Sequence, residues 1–282
     1  MTEIAPRIEK SVEDTCNHLK HYSAIRWVCA FMTFKVEWRN GYSALPPSST
    51  LLVAFPGIGN IGKVAVDSIR ELHETVEIAR IHALGLPPLA ELDEDGLLAP
   101  PHLSLCLSTT GKGTALLSLT GKGQPNEPGQ QSSLAHELME FFWEHEVESV
   151  LVLAGMLDPP GRKETFAVAS SASFRIDMES MGVDVRRDEP KNGAIGLGAL
   201  LASTGPLYNI NSACIIASTV GSSGDVFGSQ RIIEHLDRWF SFGLTIPAGG
   251  GEWLRERLKA MAPETQEDLV AEMTATHDAF YM

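Results

Sequence analysis

Residues 57–64 read Gly-Ile-Gly-Asn-Ile-Gly-Lys-Val, and two phosphate-binding patterns overlap there. Gly57, Gly59 and Gly62 satisfy G-x-G-x-x-G, in which bare backbone approaches a pyrophosphate. Gly57, Gly62 and Lys63 satisfy the P-loop pattern G-x-x-x-x-G-K-[ST] up to its last position, where Val64 stands. A dinucleotide site also needs an acid about 20 residues further on, at the end of the next strand, to hold the ribose. The apolar stretch near residue 80 ends His82-Ala83-Leu84-Gly85, and Glu77 comes too early. A P-loop needs a hydroxyl on Mg²⁺ and a strand ending in a metal-holding acid. Val64 has no hydroxyl, and Asp158 is cut off from its strand by Gly155-Met-Leu and a following Pro-Pro. With 25 glycines in the chain, such a three-glycine pattern arises by chance roughly 0.2 times. The expectation is therefore a structural loop. Pro56, Gly57, Gly59 and Gly62 permit a tight strand-to-helix turn and close helix–sheet packing. Binding of a nucleotide or small anion at Gly57–Gly62 is the competing reading.

Other reactive residue types do not converge in sequence. His136-Glu137 and His145 lack the H-E-x-x-H spacing of a zinc site and read as exposed polar positions. Ser170-Ser171 and Ser222-Ser223 lie in polar turns outside any G-x-S-x-G elbow. Asp158, Asp177 and Asp225 read as caps and turn residues. Cys16, Cys29, Cys106 and Cys214 form no C-x-x-C pair, which argues against a disulfide framework or a thiolate zinc site and fits a reducing cytoplasm. No catalytic residue, no metal site and no cofactor is expected.

The elements that position these residues alternate. Leu51–Phe55 is an unbroken apolar run, as in a strand buried on both faces. The turn at Gly57–Gly62 leads into a helix to about His73, striped by Ile61, Val64, Ala65, Ile69 and Leu72. Ile78–Ala83 reads as a strand, Leu103–Leu107 and Ala115–Leu119 as a hairpin, and Val150–Ala154 and Cys214–Thr219 as further strands. Helices are expected from Ser133, as cap, to His145, over Phe174–Met181, over 192–203 and over Gln230–Phe240. This alternation argues for an α/β layered sheet flanked by helices. Ile25–Trp38 is rich in aromatic and β-branched residues and reads as one or two strands within a 1–45 N-terminal extension to which the sequence pattern assigns no further structure. Residues 46–247 form the α/β domain. Residues 248–282, opened by Gly249-Gly-Gly251 and restarted at Pro263, read as a helical tail. The net charge of −14, from 22 basic and 36 acidic residues, disfavours nucleic acid and anionic membrane as partners. No apolar run reaches the ~20 residues of a membrane span.

Four stretches together resemble the proteasome-assembly-chaperone family of archaeal and bacterial type. They are Phe55-Pro-Gly-Ile-Gly-Asn-Ile-Gly62, the strand Ser149–Met156 ending at a glycine, Lys191-Asn-Gly-Ala-Ile-Gly-Leu-Gly198, and Thr219 with Asp225 ahead of the 230–240 helix. The likeness spans about residues 50–247. It implies a fold similar to nucleoside phosphorylases, no known catalytic residues, and a homo-oligomer, with a trimer or tetramer expected. It also gives the C-terminus a meaning. Some members, and many proteasome activators, end in hydrophobic–Tyr–any residue, and this chain ends Phe280-Tyr281-Met282. The expected function is that of a proteasome-binding assembly chaperone or ATP-independent activator, not an enzyme. Phe280, Tyr281 and Met282 would then enter pockets of the α-ring of the proteasome core. The alternatives are a phosphorylase- or hydrolase-type enzyme and a small-anion-binding protein using Gly57–Gly62.

Overall fold

The computed structural model describes residues 34–46, 50–93, 96–191, 193–221 and 225–244. Its centre is an eight-stranded mixed sheet in the order β1-β3-β6-β7-β2-β8-β10-β9. The strands are β1 (Phe34–Trp38), β2 (Thr50–Ala54), β3 (Glu74–Ala83), β6 (Leu103–Thr109), β7 (Ala115–Gly121), β8 (Ser149–Leu157), β9 (Thr165–Ala169) and β10 (Asn211–Thr219). A two-residue hairpin, β4 (Glu91–Leu92) with β5 (Leu98–Ala99), stands apart from the sheet. β7, β2, β8 and β10 are parallel neighbours, so their C-terminal ends share one edge. β3 ends at the same edge, because it is antiparallel to β6 and β6 is antiparallel to β7. β1 lies inside the 1–45 stretch and pairs with β3 as an edge strand of the sheet.

Among the described residues five α-helices cover the sheet: α1 (Ile61–Leu72), α2 (Pro128–Glu144), α3 (Ala172–Ser180), α4 (Leu197–Thr204) and α5 (Val226–Phe240). α2 and α4 close one face over Leu51, Val53, Leu117 and Val152. α1, α3 and α5 close the other over Leu52, Leu151, Leu153 and Ile215. β2 is buried at every position, as its unbroken apolar run requires. On the α1 side, the β1–β3–β6 half of the sheet is polar. There Arg70 donates to the carbonyls of Ser104 and Ser118 at 3.0 and 2.8 Å, and Glu37 meets His82 at 2.8 Å.

Several expected boundaries move for identifiable reasons. Ser133 does not cap α2; the helix starts a turn earlier at Pro128, whose ring fixes φ and whose missing N–H is no loss there. The helix expected over 192–203 begins only at Leu197, since Gly193 and Gly196 hold φ of 73° and 97°, left-handed values that a helix cannot contain. β3 starts earlier than Ile78, at Glu74, and absorbs a register shift between Glu77 and Ala79.

α5 carries the chain from the edge at the strands' C-terminal ends back to the opposite edge. Asp225 caps its start, accepting from the Gly228 amide at 2.8 Å. Beyond its end, Asp237 Oδ1 accepts from the amides of Gly243 and Leu244 at 2.6 and 2.9 Å. Thr110, in the turn between β6 and β7, donates to the Phe242 carbonyl at 2.6 Å.

Candidate functional site

The glycine loop sits where β2 ends, flanked by the ends of β8 and β10. Gly57 is extended, with φ −169°. Residues 58–60 form one 3₁₀ turn, and Gly59 and Asn60 take φ of 63° and 49°, two left-handed residues in succession. Asn60 closes the turn, because its Oδ1 accepts from the Gly57 amide and its own amide donates to the Gly57 carbonyl at 2.9 Å. Asparagine tolerates this conformation better than other side chains do.

Each glycine faces a different neighbour. A Cβ on Gly57 would meet only the Phe55 carbonyl oxygen, at 3.8 Å. On Gly59 it would press on the Thr219 side chain at 3.3 Å. On Gly62 it would lie 1.9 Å from the Leu153 carbonyl oxygen, inside the backbone of β8. Gly155 on β8 returns the contact, with its Cβ position 2.2 Å from the Ile58 carbonyl oxygen. Pro56 turns the chain ahead of the loop, and its carbonyl accepts from Gln124 at 3.5 Å. α5 locks the loop from the other side: the Asp225 amide donates to the Gly59 carbonyl at 2.9 Å, and the Ser229 hydroxyl donates to the Ile61 carbonyl at 2.9 Å. The glycines thus let loop, strand and helix meet at backbone distance.

Phosphate chemistry has little to work with here. Lys63 is held by Asp67 one turn along α1, at 2.5 Å. β3, the strand that follows α1, is not next to β2, because β7 and β6 lie between them. A dinucleotide fold instead puts that strand alongside the first and its acid beside the loop. Calorimetric titration with ATP, GTP and NAD is expected to show no binding at submillimolar concentration; a micromolar dissociation constant for any of them would return the loop to the nucleotide reading. Gly59→Val places a β-branched residue in left-handed backbone against Thr219. It is expected to lower stability by ~2 kcal/mol or more in thermal or urea unfolding.

The other candidates among the described residues take up structural positions, while Cys16, Cys29, Ser222 and Ser223 lie outside the described residues. Asp158 is not a turn residue: its nearly buried carboxylate follows β8, and Oδ2 lies 3.1 Å from Arg162 Nη1. The pair is held by charge, because Oδ2 has no hydrogen bond of good geometry. Arg162 also donates to Glu164 and Glu189 at 2.7 and 2.8 Å, and its hydrogen bond holds the Glu164 carboxyl below the usual carboxylate range. Asp177 lies inside α3 and caps nothing. Ser170 donates to the Ala202 carbonyl, and Ser171 caps α3 by accepting from the Phe174 amide at 3.2 Å. His145 is half-buried against Trp38 and Phe141, and His136 Nδ1 meets the Tyr208 hydroxyl at 3.1 Å. Burial pushes the Cys214 thiol up to about 12, so it has little thiolate at neutral pH. Among the described residues no group of three His, Cys, Asp or Glu is placed to hold a metal ion, and no helix is long and apolar enough to cross a membrane.

Around the glycine loop the surface is apolar. Ile58, Leu157, Val220 and Phe227 are all exposed there, and no pattern in the sequence marks them as surface residues. Phe280, Tyr281 and Met282 lie outside the described residues, as does the whole 248–282 tail.

Residues 51–268 match the PAC2 family. A protein of Methanocaldococcus jannaschii is 18% identical over 240 residues, which is 83% of this chain and 92% of that one. Among solved structures, Pyrococcus furiosus PbaB, an archaeal proteasome activator, superposes with a TM-score of 0.66 at 18% identity, covering 86% of this chain and 100% of PbaB. Pyrococcus furiosus PbaA, an archaeal homolog of proteasome-assembly chaperone, gives 0.62 at 19% identity, covering 83% and 98%. A PAC2 family protein of Streptomyces avermitilis gives 0.58 at 19% identity, covering 79% and 98%.

Proposed function

This chain belongs to the PAC2 family, and from that premise we propose that it is a proteasome-binding protein, acting as an assembly chaperone or an ATP-independent activator. The observation that carries the reading is a conjunction. The fold of this chain covers the full length of an archaeal proteasome activator, and its sequence ends in Phe280-Tyr281-Met282. A terminal tyrosine suits docking, because it offers a large contact area with few torsions and a polar tip. A terminal carboxylate needs a lysine or backbone donors to leave water, and the α-ring pockets of a proteasome core would supply them.

Such tails act best in number. Each buries little area, but several held on one body raise one another's effective concentration. The protein is accordingly taken to be a homo-oligomer, trimer or tetramer. The glycine loop acts in this reading as a close-packed joint of the scaffold, not as a ligand site.

The test is co-migration of the purified protein with a proteasome core, with and without its last three residues. Co-migration that depends on those residues is expected. No association at all, or association indifferent to their removal, sinks the reading.

A further inference from the structure

The large apolar side chains that remain exposed are not scattered. Around the glycine loop stand Ile58, Leu157, Val220 and Phe227, at 48%, 64%, 53% and 57% exposure. Ile195, at 97%, belongs to the same rim. Its neighbours Gly196 and Leu197 are held by Gln124, which in turn donates to the Pro56 carbonyl. Leu84, at 67%, follows β3 at this edge, and the β4–β5 arm adds Leu89, Leu92, Leu97 and Leu98, at 40% to 74%. That arm is fixed to the edge by Lys122–Glu91 and by the Asn126 amide donating to the Gly85 carbonyl. Only Trp143, Ile176, Met181 and Leu207 are comparably exposed elsewhere among the described residues.

We infer that this edge of the sheet, centred on the glycine loop, is the face by which one copy of the chain binds another. Size is the first reason. At on the order of 100 Å² each, ten such side chains present on the order of 1,000 Å². That exceeds the ~300–600 Å² patch of a typical monomer and matches the ~800 Å² that each partner gives to a stable interface. Charge is the second. Two copies at −14 each repel, so they can meet closely only where acids are few or neutralised. At this edge Asp158, Glu164 and Glu189 gather on Arg162, Glu164 also meets Arg186, and Glu91 meets Lys122, so part of the acid charge is met within each copy. Rigidity is the third. Four of the rim residues stand beside backbone pinned by Gly62, Gly155 and Asp225, so docking orders little that is not already ordered. The inference deepens the oligomer reading above by assigning its surface, and it needs nothing from the tail.

Light scattering on the full chain, with Ile195→Asp and Leu157→Asp combined, is the decisive experiment. The native chain is expected to show a multiple of 30.6 kDa at micromolar concentration. The double variant is expected to need at least ~100-fold more protein to hold that mass, since each aspartate would bury an unpaired charge at the interface. Leu207→Asp, exposed away from this edge, is expected to keep it. Both substituted positions are solvent-facing, and an unchanged circular dichroism spectrum establishes that the variants fold. A monomeric native chain, or a double variant of unchanged mass, overturns the inference. The photo-crosslinker p-benzoylphenylalanine in Ile195→p-benzoylphenylalanine is expected to join two copies. Cross-linking only within one chain, to residues 1–33 or 245–282, would show that the chain covers this edge itself and overturns the inference too. The proteasome reading fails separately: a double variant that dissociates, from a native protein that never co-migrates with the core, keeps the interface and removes the docking.

Discussion

Gly62→Ala is expected to destabilise the fold more than any other single methyl group added to the glycine loop. Its Cβ would lie 1.9 Å from the carbonyl oxygen and 2.5 Å from the carbonyl carbon of Leu153. Those atoms belong to β8, which is hydrogen-bonded to β2 on one side and β10 on the other, so they cannot give way as a flexible side chain could. Either α1 lifts from the sheet, opening a gap over Ile61, Ala65 and Ile69, or the ladder breaks. Overpacking of this kind costs ~3 kcal/mol or more, which for a domain of this size lowers Tm by about 6–12 °C. Gly57→Ala is the matched control. Its backbone is extended and its Cβ position is open, so a change within ~0.5 kcal/mol is expected. Equal losses at both positions would show that something besides packing fixes the loop.

The second large effect belongs to the proposed docking. Tyr281→Ala should weaken binding to a proteasome core by ~2 kcal/mol or more per tail, or about 30-fold for each tail engaged. Across several tails the losses compound. Phe280 is assigned to the pocket rim, and the Met282 carboxylate to a lysine of the α-ring. One residue appended after Met282 should therefore do nearly as much harm, by moving the charge out of reach. Neither change should alter Tm or oligomer mass. A Tm that falls by many degrees in Tyr281→Ala would place the tyrosine in the protein's own core and remove the main support for docking.

Much of the architecture was legible because burial writes itself into composition. Leu51–Phe55 and Val150–Ala154 are apolar at every position, and only strands covered on both faces tolerate that. α5 was legible from its stripe of Ile232, Ile233, Leu236 and Trp239. What escaped has physical reasons as well. β9 carries only two large apolar residues, Phe166 and Val168, set among a threonine and two alanines, so its run does not stand out. The β4–β5 arm pairs only two residues per strand and buries almost nothing, so no periodicity marks it. The apolar edge was hidden for a different reason. Ile58, Leu157 and Val220 follow the buried Phe55, Leu153 and Thr219 by one to four residues, and sequence does not say where a strand leaves the protein's interior. The expectation of a structural glycine loop rested on what the loop lacks, the hydroxyl at Val64 and an acid after β3. The partner at Gly62, the backbone of a strand ninety residues away, could come only from the fold.

The clamp beyond α5 sets how the molecule would bear mechanical load. Force applied at Leu244 is met by Asp237, which grips two successive amides, and by Thr110, which holds the Phe242 carbonyl. These bonds share the force between α5 and the β6–β7 turn. α5 then works as a strut, bolted at its far end to the Gly59 and Ile61 carbonyls by Asp225 and Ser229. Tension applied at one edge of the sheet is thus delivered to the glycine loop at the other. In a single-molecule pulling experiment with the handle attached at Leu244, α5 and that loop should yield together in one event, before the β2–β8 ladder shears.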